Sequence, residues 1–300
     1  MTKNAAAERI CDGRVCVVTG AGRGIGRSHA LGLAGHGARV VVNDVGGERD
    51  GSGADSLLAN QIVEEIRSGG GEAMANTDDI STWDGAQRLV EGALEKYGRI
   101  DVVVNNAGII RDRMLVNMSE EDWDAVIAVH LKGTFCVTRH VAQHWRNRAK
   151  EGEENDARII NTTSGSGLYG NVGQSNYAAA KAAIAAFTQV VAEELARYGV
   201  TANAIAPVAL TRMTADLGIP EEITDLLDPG WITPVVVWLA SPLSAEVTGQ
   251  VFEASGQTLA VAEGWRRGPQ AAPTTDPVVV GDLVPTLLAQ ARPRTTMADL

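Results

Sequence analysis

The sequence VCVVTGAGRGIG, residues 15–26, decides the fold. It begins as a β-branched apolar run, passes through three glycines spaced G-x-x-x-G-x-G, and opens a helical pattern at Gly24. Glycines permit a tight turn there and let backbone N–H groups approach a pyrophosphate at the positive end of a helix. A glycine cluster alone is a weak signal, but its place between a strand and a helix predicts a dinucleotide site. Its expected residues are Gly20, Arg23, Gly24, Ile25 and Gly26.

The rest of the chain repeats the same alternation of strand and helix. Short apolar, β-branched runs predict strands at 15–19, 39–43, 72–75, 100–105, 158–163, 201–206 and 250–253. Helical patterns lie between them at 24–36, 55–68, 82–97, 119–149, 175–198 and 231–240. Runs such as Val102-Val103-Val104 are typical of strands buried on both faces of a parallel sheet. The pattern predicts a doubly wound α/β fold of the Rossmann type, with seven parallel strands and its ligands at their carboxyl ends.

Two segments interrupt that rhythm. Residues 44–55 (DVGGERDGSGAD) form a glycine-rich loop, longer than most strand-to-helix connections. Residues 268–300 carry five prolines and show weak periodicity, which indicates either an arm on a neighbouring subunit or partial disorder. We therefore expect one domain over residues 1–267, with a lid around 210–230, followed by a C-terminal tail.

Composition narrows the function classes. The 300 residues are 45% hydrophobic and 21% charged, which supplies one large core and excludes a disordered, collagen-like or coiled-coil chain. The net charge of −11 disfavours nucleic acid and anionic membranes as general partners. Three cysteines without C-x-x-C spacing favour neither a disulfide framework nor a metal site. Without a secretory pattern or a long apolar run, we expect a cytoplasmic protein.

The end of the second predicted strand bears on the choice of coenzyme. Asp44 lies eighteen residues beyond Gly26, where an acid accepts hydrogen bonds from the adenosine ribose hydroxyls. A carboxylate there repels a 2′-phosphate and so favours NAD, whereas Arg23 in the glycine loop could favour NADP. We give more weight to Asp44, because a charge opposite the phosphate matters more than one that points into the loop. Asp79 and Ile80, after the third strand, are expected to flank the adenine.

A candidate catalytic group follows the fifth strand. Tyr177 and Lys181 are four residues apart and share one helical face, and Ser164 lies thirteen residues before Tyr177. A free tyrosine titrates near 10, so bringing it towards neutral pH requires about 4 kcal/mol of phenolate stabilisation. An ammonium and a cationic nicotinamide ring are natural sources of that stabilisation. These residues predict proton exchange at Tyr177, with Ser164 holding the substrate oxygen.

In this order the motifs resemble those of the short-chain dehydrogenase/reductase family over residues 12–265. The markers are the glycine loop, Asn106-Ala107-Gly108 after the fourth strand, and the serine, tyrosine and lysine just named. The segment 207–213 (PVALTRM) stands where that family binds the nicotinamide amide. The resemblance implies that Pro207 and Thr211 contact the coenzyme, and that the chain is a nicotinamide-dependent oxidoreductase interconverting an alcohol and a ketone.

A narrower resemblance points to the (3R)-hydroxyacyl-CoA dehydrogenase module of peroxisomal multifunctional enzyme type 2 (17β-hydroxysteroid dehydrogenase type 4) and its bacterial stand-alone relatives. It rests on the segments 42–47, 106–113, 129–135, 169–174 and 207–213. It implies NAD-dependent oxidation of a (3R)-hydroxyacyl-CoA to the 3-ketoacyl-CoA in fatty-acyl or steroid side-chain β-oxidation. Where most of the wider family has asparagine this chain has His130, which could bind the same water, relay a proton, or simply be a half-buried histidine.

Alternatives remain open at this point. The chain could instead oxidise a free hydroxysteroid or a small secondary alcohol, or serve as a non-catalytic dinucleotide-binding scaffold. Arg111, Arg113 and Arg212 are candidates for CoA phosphates, or ordinary exposed arginines. The resemblance also implies a homodimer or homotetramer, in which the two long predicted helices at 119–149 and 175–198 form an interface.

Overall fold

A computed structural model of the protein describes residues 9–209 and 224–297. Within these residues one sheet of eight strands has the order β3-β2-β1-β4-β5-β6-β7-β8. Strands β1 to β7 are parallel, and β8 pairs with β7 in the antiparallel direction. Their bounds are β1 Val15–Thr19, β2 Arg39–Asn43, β3 Glu72–Asn76, β4 Val102–Asn105, β5 Ala157–Thr162, β6 Val200–Pro207, β7 Val251–Ala254 and β8 Leu259–Val261.

Helices cover both faces of this sheet. Their bounds are α1 Gly24–Gly35, α2 Leu57–Ser68, α3 Trp83–Tyr97, α4 Glu120–Ile127, α5 Gly133–Lys150, α6 Gly165–Tyr169, α7 Ser175–Leu195, α8 Thr233–Ala240 and α9 Pro277–Gln290. Local sequence sets several of their starts: Thr82 accepts a hydrogen bond from the Gly85 N–H, and Ser119 accepts one from the Asp122 N–H. These caps satisfy backbone donors that the first helical turn leaves free.

The core has two layers, one on each side of the sheet, because successive strand residues face opposite ways. Within β1, Cys16 and Val18 pack into the layer that contains α1 and α8, whereas Val17 packs into the layer that contains α3 and α5. The whole of β1 is buried, as predicted for a strand covered on both faces. This doubly wound arrangement brings the carboxyl ends of β1, β2, β4, β5 and β6 to one edge.

The predicted count of seven strands is too low by one. Strand β8 has only three residues and follows a tight turn in which the Ser255 N–H donates to the Thr258 carbonyl at 2.9 Å. An element of three residues is too short to show the alternation of apolar and polar residues that predicts a strand. It becomes a strand only by pairing with β7 in the folded protein. The helix predicted over 119–149 is interrupted by a π-helical segment, Ala128–Lys132. The short α6 also gave no sequence signal.

The described part of the tail contains a helix that the sequence did not predict. In α9, Val278 is 74% exposed and Leu288 is 69% exposed, so this apolar helix makes little contact with its own domain. After the helix, the Arg294 guanidinium donates to the Tyr169 carbonyl at 2.8 Å and returns the chain to the body of the protein. None of the helices in the described ranges is long and apolar enough to span a membrane.

Candidate active site

The glycine loop (residues 19–26) has no room for a side chain at two of its glycines. Gly20 has a φ of +63°, and a Cβ there would lie 2.7 Å from the Ala107 Cα. A Cβ on Gly26 would lie 2.0 Å from the Gly20 carbonyl oxygen. Glycine at these positions lets the chain turn tightly into the N-terminus of α1, where N–H groups and the helix dipole favour an anion.

The segment after β4 fixes this loop in place. The Thr19 hydroxyl oxygen accepts from the N–H groups of Asn106 and Ala107, at 3.0 and 3.1 Å. The Asn106 amide donates to the carbonyls of Thr19 and Gly20, at 3.1 and 3.2 Å. The predicted residues Asn106 and Ala107 thus lie against the glycine loop. Gly108 lies beside His130 instead: a Cβ there would be 2.3 Å from the His130 Cε1.

Asp44 lies directly after β2 and beside the glycine loop. Its Oδ2 accepts from the Gly22 N–H and its Oδ1 accepts from the Gly46 N–H, both at 2.7 Å. The carboxylate is half-buried, and its orientation is fixed from two sides. A carboxylate has lone pairs beyond those two bonds, so it can still accept from ribose hydroxyls.

The other predicted coenzyme residues have various surroundings. Arg23 is half-buried and precedes the first residue of α1. Asp79 is exposed and Ile80 is buried, both on the turn that leads from β3 to α3. Pro207 is the last residue of β6, and Thr211 and Arg212 lie outside the described residues.

The structure places the Ser164 side chain beside the Tyr177 phenol. Ser164 follows β5 and begins α6, where its Oγ accepts from the Ser166 N–H at 3.2 Å. Tyr177 lies in the first turn of α7. Burial raises the pKa of Tyr177 to about 12; the Ser164 hydrogen bond acts in the lowering direction, and the charge of Asp112 acts in the raising direction.

Lys181 is buried one helical turn after Tyr177. Its Nζ donates to the Thr162 carbonyl at 2.6 Å and lies 5.6 Å from the centre of the Tyr177 ring. Burial lowers the pKa of Lys181 to about 7. The lysine is therefore placed beside the phenol, as its spacing predicts, and is anchored at the end of β5.

His130 projects from the π-helical segment towards the same group. Its ring meets the Tyr177 ring edge to face, with 5.1 Å between centroids. Its Nε2 lies 2.7 Å from the Ile109 carbonyl oxygen and 3.1 Å from the Ile109 N–H nitrogen. Burial, followed by the charge of Lys181, lowers the pKa of His130 to about 3. The imidazole is thus neutral at physiological pH, and its buried Nδ1 has no partner among the described residues.

Sequence reasoning missed a buried asparagine next to the tyrosine. The Asn176 side-chain amide donates to the carbonyls of Arg111 and Asp122, at 3.0 and 3.1 Å, and its oxygen accepts from the Tyr177 N–H. It ties α7 to the segment after β4 and so sets the depth of Tyr177. Its position beside the tyrosine was the one available signal, since an asparagine there is equally compatible with an exposed helix start.

Two candidate phosphate ligands are already engaged with the protein. Arg111 and Arg113 each have a guanidinium nitrogen 3.9 Å from a carboxylate oxygen of Asp122. The Arg111 Nε also donates to the Asp50 carbonyl at 2.8 Å. The Arg113 side chain is 58% exposed and that of Arg111 only 27%, so the interpretation as ordinary exposed arginines fits Arg113 but not Arg111.

The residues present fit a nicotinamide dinucleotide. Gly24 is exposed at the N-terminus of α1, so its backbone can face a pyrophosphate, and the Asp44 carboxylate beside the Gly22 N–H can accept from a ribose hydroxyl. Beside it, a phenol, an amine, a hydroxyl and a neutral imidazole meet at the ends of β4 and β5. Such a set can exchange a proton with a bound alcohol or ketone.

Comparisons with known proteins agree with this geometry. A sequence model of the short chain dehydrogenase family matches residues 14–221. The hydroxyacyl-CoA dehydrogenase ChsB1 of Mycobacterium tuberculosis is 51% identical over 251 residues, which cover 80% of this chain and 76% of that protein. Peroxisomal multifunctional enzyme type 2 of Mus musculus is 45% identical over 254 residues, or 85% of this chain and 32% of the relative.

A solved structure gives the same result. The crystal structure of a short chain dehydrogenase from Mycobacterium avium superimposes with a TM-score of 0.87 at 51% sequence identity, covering 96% of this chain and 98% of that chain. The resemblance drawn from the motifs is thereby confirmed. The chain belongs to the short-chain dehydrogenase/reductase family and is an oxidoreductase that acts on a CH–OH group.

Proposed function

We propose that the protein oxidises a (3R)-hydroxyacyl-CoA to the 3-ketoacyl-CoA with NAD⁺, in fatty-acyl or steroid side-chain β-oxidation. The observation that carries the chemistry is the meeting of Ser164, Tyr177 and Lys181 at the end of β5, next to the glycine loop. The substrate class is supported by the named activity of the 51%-identical hydroxyacyl-CoA dehydrogenase.

The preference for NAD rests on Asp44. Because both carboxylate oxygens accept backbone hydrogen bonds, the carboxylate cannot turn away from an incoming nucleotide without losing them. A 2′-phosphate at that position would meet a fixed negative charge, whereas a free 2′-hydroxyl would meet an acceptor. Arg23 offers a positive charge nearby, but no side-chain hydrogen bond among the described residues fixes the position of its guanidinium group.

The chain's own residues divide the chemistry among them. The Ser164 hydroxyl holds the substrate oxygen, and Tyr177 takes the hydroxyl proton when the alcohol is oxidised. Lys181 supplies positive charge beside the phenol, which favours the phenolate. The bound oxidised nicotinamide supplies the hydride acceptor. Burial of Tyr177 raises its pKa to about 12, so nearby positive charge has to offset that burial before the phenol can act as a base.

The assembly and location follow the same resemblance. We propose a homodimer or homotetramer in the cytoplasm, with a small-molecule substrate and neither nucleic acid nor membrane as partner. The 42% exposure of Phe135 on α5, whose ring lies 6.4 Å from that of Phe187 on α7, marks an apolar surface on the two long helices that the resemblance assigns to the subunit contact.

A coupled screen tests the proposal. NADH formation would be followed with (3R)- and (3S)-hydroxyacyl-CoA esters, including steroid-derived ones, and with the corresponding free alcohols and hydroxysteroids. We expect the (3R)-thioesters with NAD⁺ to give the highest kcat/KM. Faster turnover of a free alcohol would overturn the thioester assignment, and faster turnover with NADP⁺ would overturn the role of Asp44. Absence of turnover with every alcohol would favour a scaffold.

A further inference from the structure

A chain of hydrogen bonds runs from the segment after β4 to the catalytic serine. The Gln174 Nε2 donates to the Asp112 Oδ2 at 2.8 Å, and the Gln174 Oε1 accepts from the Ser166 hydroxyl at 2.8 Å. The Ser166 N–H then donates to the Ser164 Oγ at 3.2 Å. Gln174 thus joins two segments that are distant in sequence, through both ends of its amide.

The backbone holds the same junction. The Arg113 N–H donates to the Gly173 carbonyl at 2.9 Å, and Arg113 pairs with Gln174 in an isolated parallel bridge. The Asn171 amide adds a second donor to the Gln174 Oε1, at 3.0 Å. Because the backbones are fixed against each other, the side chains of Asp112 and Gln174 meet without a large loss of entropy.

The hydrogen bonds that link Asp112, Gln174 and Ser166 can run in one direction only. An ionised Asp112 can only accept, so the NH₂ end of Gln174 must face it and the amide oxygen must face Ser166. Ser166 in turn presents its N–H to the Ser164 Oγ. With its oxygen already accepting, Ser164 is set to donate its own proton to an oxygen in the site. That is the state needed to hold a substrate oxygen.

Asp112 uses one of its two carboxylate oxygens at this junction, where Oδ2 accepts from the Gln174 amide. The Asp112 Oδ1 is buried and has no partner among the described residues, although the residue as a whole is half-buried. The flanking guanidinium groups of Arg111 and Arg113 lie near Asp122, which takes up part of their charge.

We propose that Asp112 and Gln174 are positioning residues for Ser164. This rests on the proposed role of Ser164, but on no particular substrate. Asp112 and Gln174 act through other residues, Gln174 by fixing the serine loop and Asp112 by fixing Gln174.

An exchange of polarity provides the sharpest test. Gln174→Glu places a second carboxylate opposite Asp112 and should lower kcat about 10-fold or more, since it replaces a hydrogen bond by repulsion. Adding Asp112→Asn restores a donor and an acceptor at the junction with the direction reversed, and most of the lost kcat should return. The enzyme would be assayed with saturating coenzyme and the best alcohol found in the screen. A double variant no faster than Gln174→Glu alone would overturn the positioning role.

Single variants test each residue of the junction. Gln174→Met keeps the length and removes both polar ends, so kcat should fall about 5- to 30-fold with coenzyme affinity unchanged. Asp112→Asn keeps an oxygen that can accept from the Gln174 amide, so its kcat should stay well above that of Gln174→Met. A Gln174→Met rate within twofold of wild type, or an Asp112→Asn rate as low as that of Gln174→Met, would refute the positioning role.

Matched controls make the same chemical changes at exposed helix positions. Gln87→Met on α3 and Asp124→Asn on α4 should leave rate and pH profile unchanged. Thermal unfolding and NADH titration of every variant identify any that fail to fold, and the double variant then decides the positioning role. Tyr177→Phe, assayed in parallel, isolates the proposed function: if it keeps its rate, the role of Tyr177 is wrong whatever the other variants show.

Discussion

The glycine loop and the candidate catalytic pocket (His130, Ser164, Tyr177 and Lys181) lie side by side but differ in how their polar groups are satisfied. In the loop, the side chains of Thr19, Asn106 and Asp44 each bond to backbone groups, with hydrogen bonds of 2.7–3.2 Å. In the pocket, the Tyr177 phenol and the His130 imidazole stand in their neutral forms, and the His130 Nδ1 has no partner in the described chain.

The difference shows how the two regions do different work. A binding loop that is already ordered before its ligand binds loses little conformational entropy on binding. The binding free energy is then not reduced by the cost of ordering the loop. A proton-exchanging pocket needs groups whose pKa values respond to what enters, and burial without full compensation supplies that sensitivity. Substitutions in the loop should therefore change coenzyme binding and stability, whereas substitutions in the pocket should change rate and pH dependence.

The largest effect is expected at Tyr177. Tyr177→Phe removes the hydroxyl that we propose transfers the proton, and should lower kcat by several orders of magnitude, about 10²- to 10⁴-fold, by loss of acid–base catalysis. The NADH dissociation constant should stay near that of wild type. Stopped-flow turnover and fluorescence titration measure the two quantities. A near-normal rate would show that the assignment is wrong.

Gly26→Ala should break the loop without touching the pocket. The added Cβ would lie 2.0 Å from the Gly20 carbonyl oxygen and 2.5 Å from the Asn106 Nδ2, so backbone has to move. We expect a loss of roughly 1–3 kcal/mol in stability and a clear rise in the coenzyme dissociation constant. Urea unfolding and NADH titration provide the test. Gly35→Ala is the matched control, since a Cβ there meets nothing within 4 Å.

Asp44→Asn tests the selectivity of the loop. It keeps one oxygen acceptor but removes the charge that would repel a 2′-phosphate, so discrimination against NADP⁺ should fall about 10-fold or more. The measurement is the ratio of kcat/KM for the two coenzymes in wild type and variant. An unchanged ratio would mean that Asp44 does not face the ribose. Asp55→Asn, in the same exposed loop, should leave the ratio unchanged.

His130→Asn should have a smaller effect on rate. Because burial keeps the imidazole neutral, with a pKa of about 3, support of a water molecule is the role we expect, and an amide can supply it. Turnover should stay within about 10-fold of wild type, the value of one or two hydrogen bonds. A deep loss, measured at several pH values, would show that imidazole chemistry is required.

The same variant should change stability in acid. Burial lowers the pKa of both His29 and His130 to about 3, while an unfolded histidine binds a proton below about 6.5. The unfolded state therefore binds more protons between pH 6.5 and 3, and stability falls as pH falls, by up to about 1.4 kcal/mol per pH unit for each group. Urea unfolding at pH 7, 6 and 5 should show a shallower fall in His130→Asn than in wild type.

Removal of the tail should affect turnover least. A chain ending before Gly268 lacks α9, whose valines and leucines are largely exposed on the single subunit. If α9 covers another copy, light scattering should show a lower molar mass for the truncated chain, with turnover per site near that of wild type. An unchanged molar mass would remove the tail from any role in assembly.

Some features of this protein could be predicted from the sequence because they depend on local chemistry. The strand, glycine loop and helix at 15–26 were recognisable because backbone-to-phosphate contact requires glycine at fixed spacing. Tyr177 and Lys181 were recognisable because residues four apart share a helix face. Helix starts at Thr82 and Ser119 were placed to within a residue for a similar reason, since their caps are local.

Other features carry no local signature. Strand β8 exists because β7 offers it an edge, and α9 was hidden by its prolines and its lack of a clear polar face. The neutrality of His130 depends on burial from all sides, and the junction of Asp112 with Gln174 joins residues 62 positions apart. Contacts between residues so far apart in the sequence leave no periodic pattern from which they could be predicted.

The amino-acid sequence by itself determined the alternation of elements, the glycine loop and the order of the catalytic side chains, because each depends on spacing along a strand or helix. The tertiary structure alone decided which groups are charged and which hydrogen bonds orient them. Desolvation and long-range pairing belong to the folded arrangement, since burial comes from neighbours that the chain supplies from elsewhere.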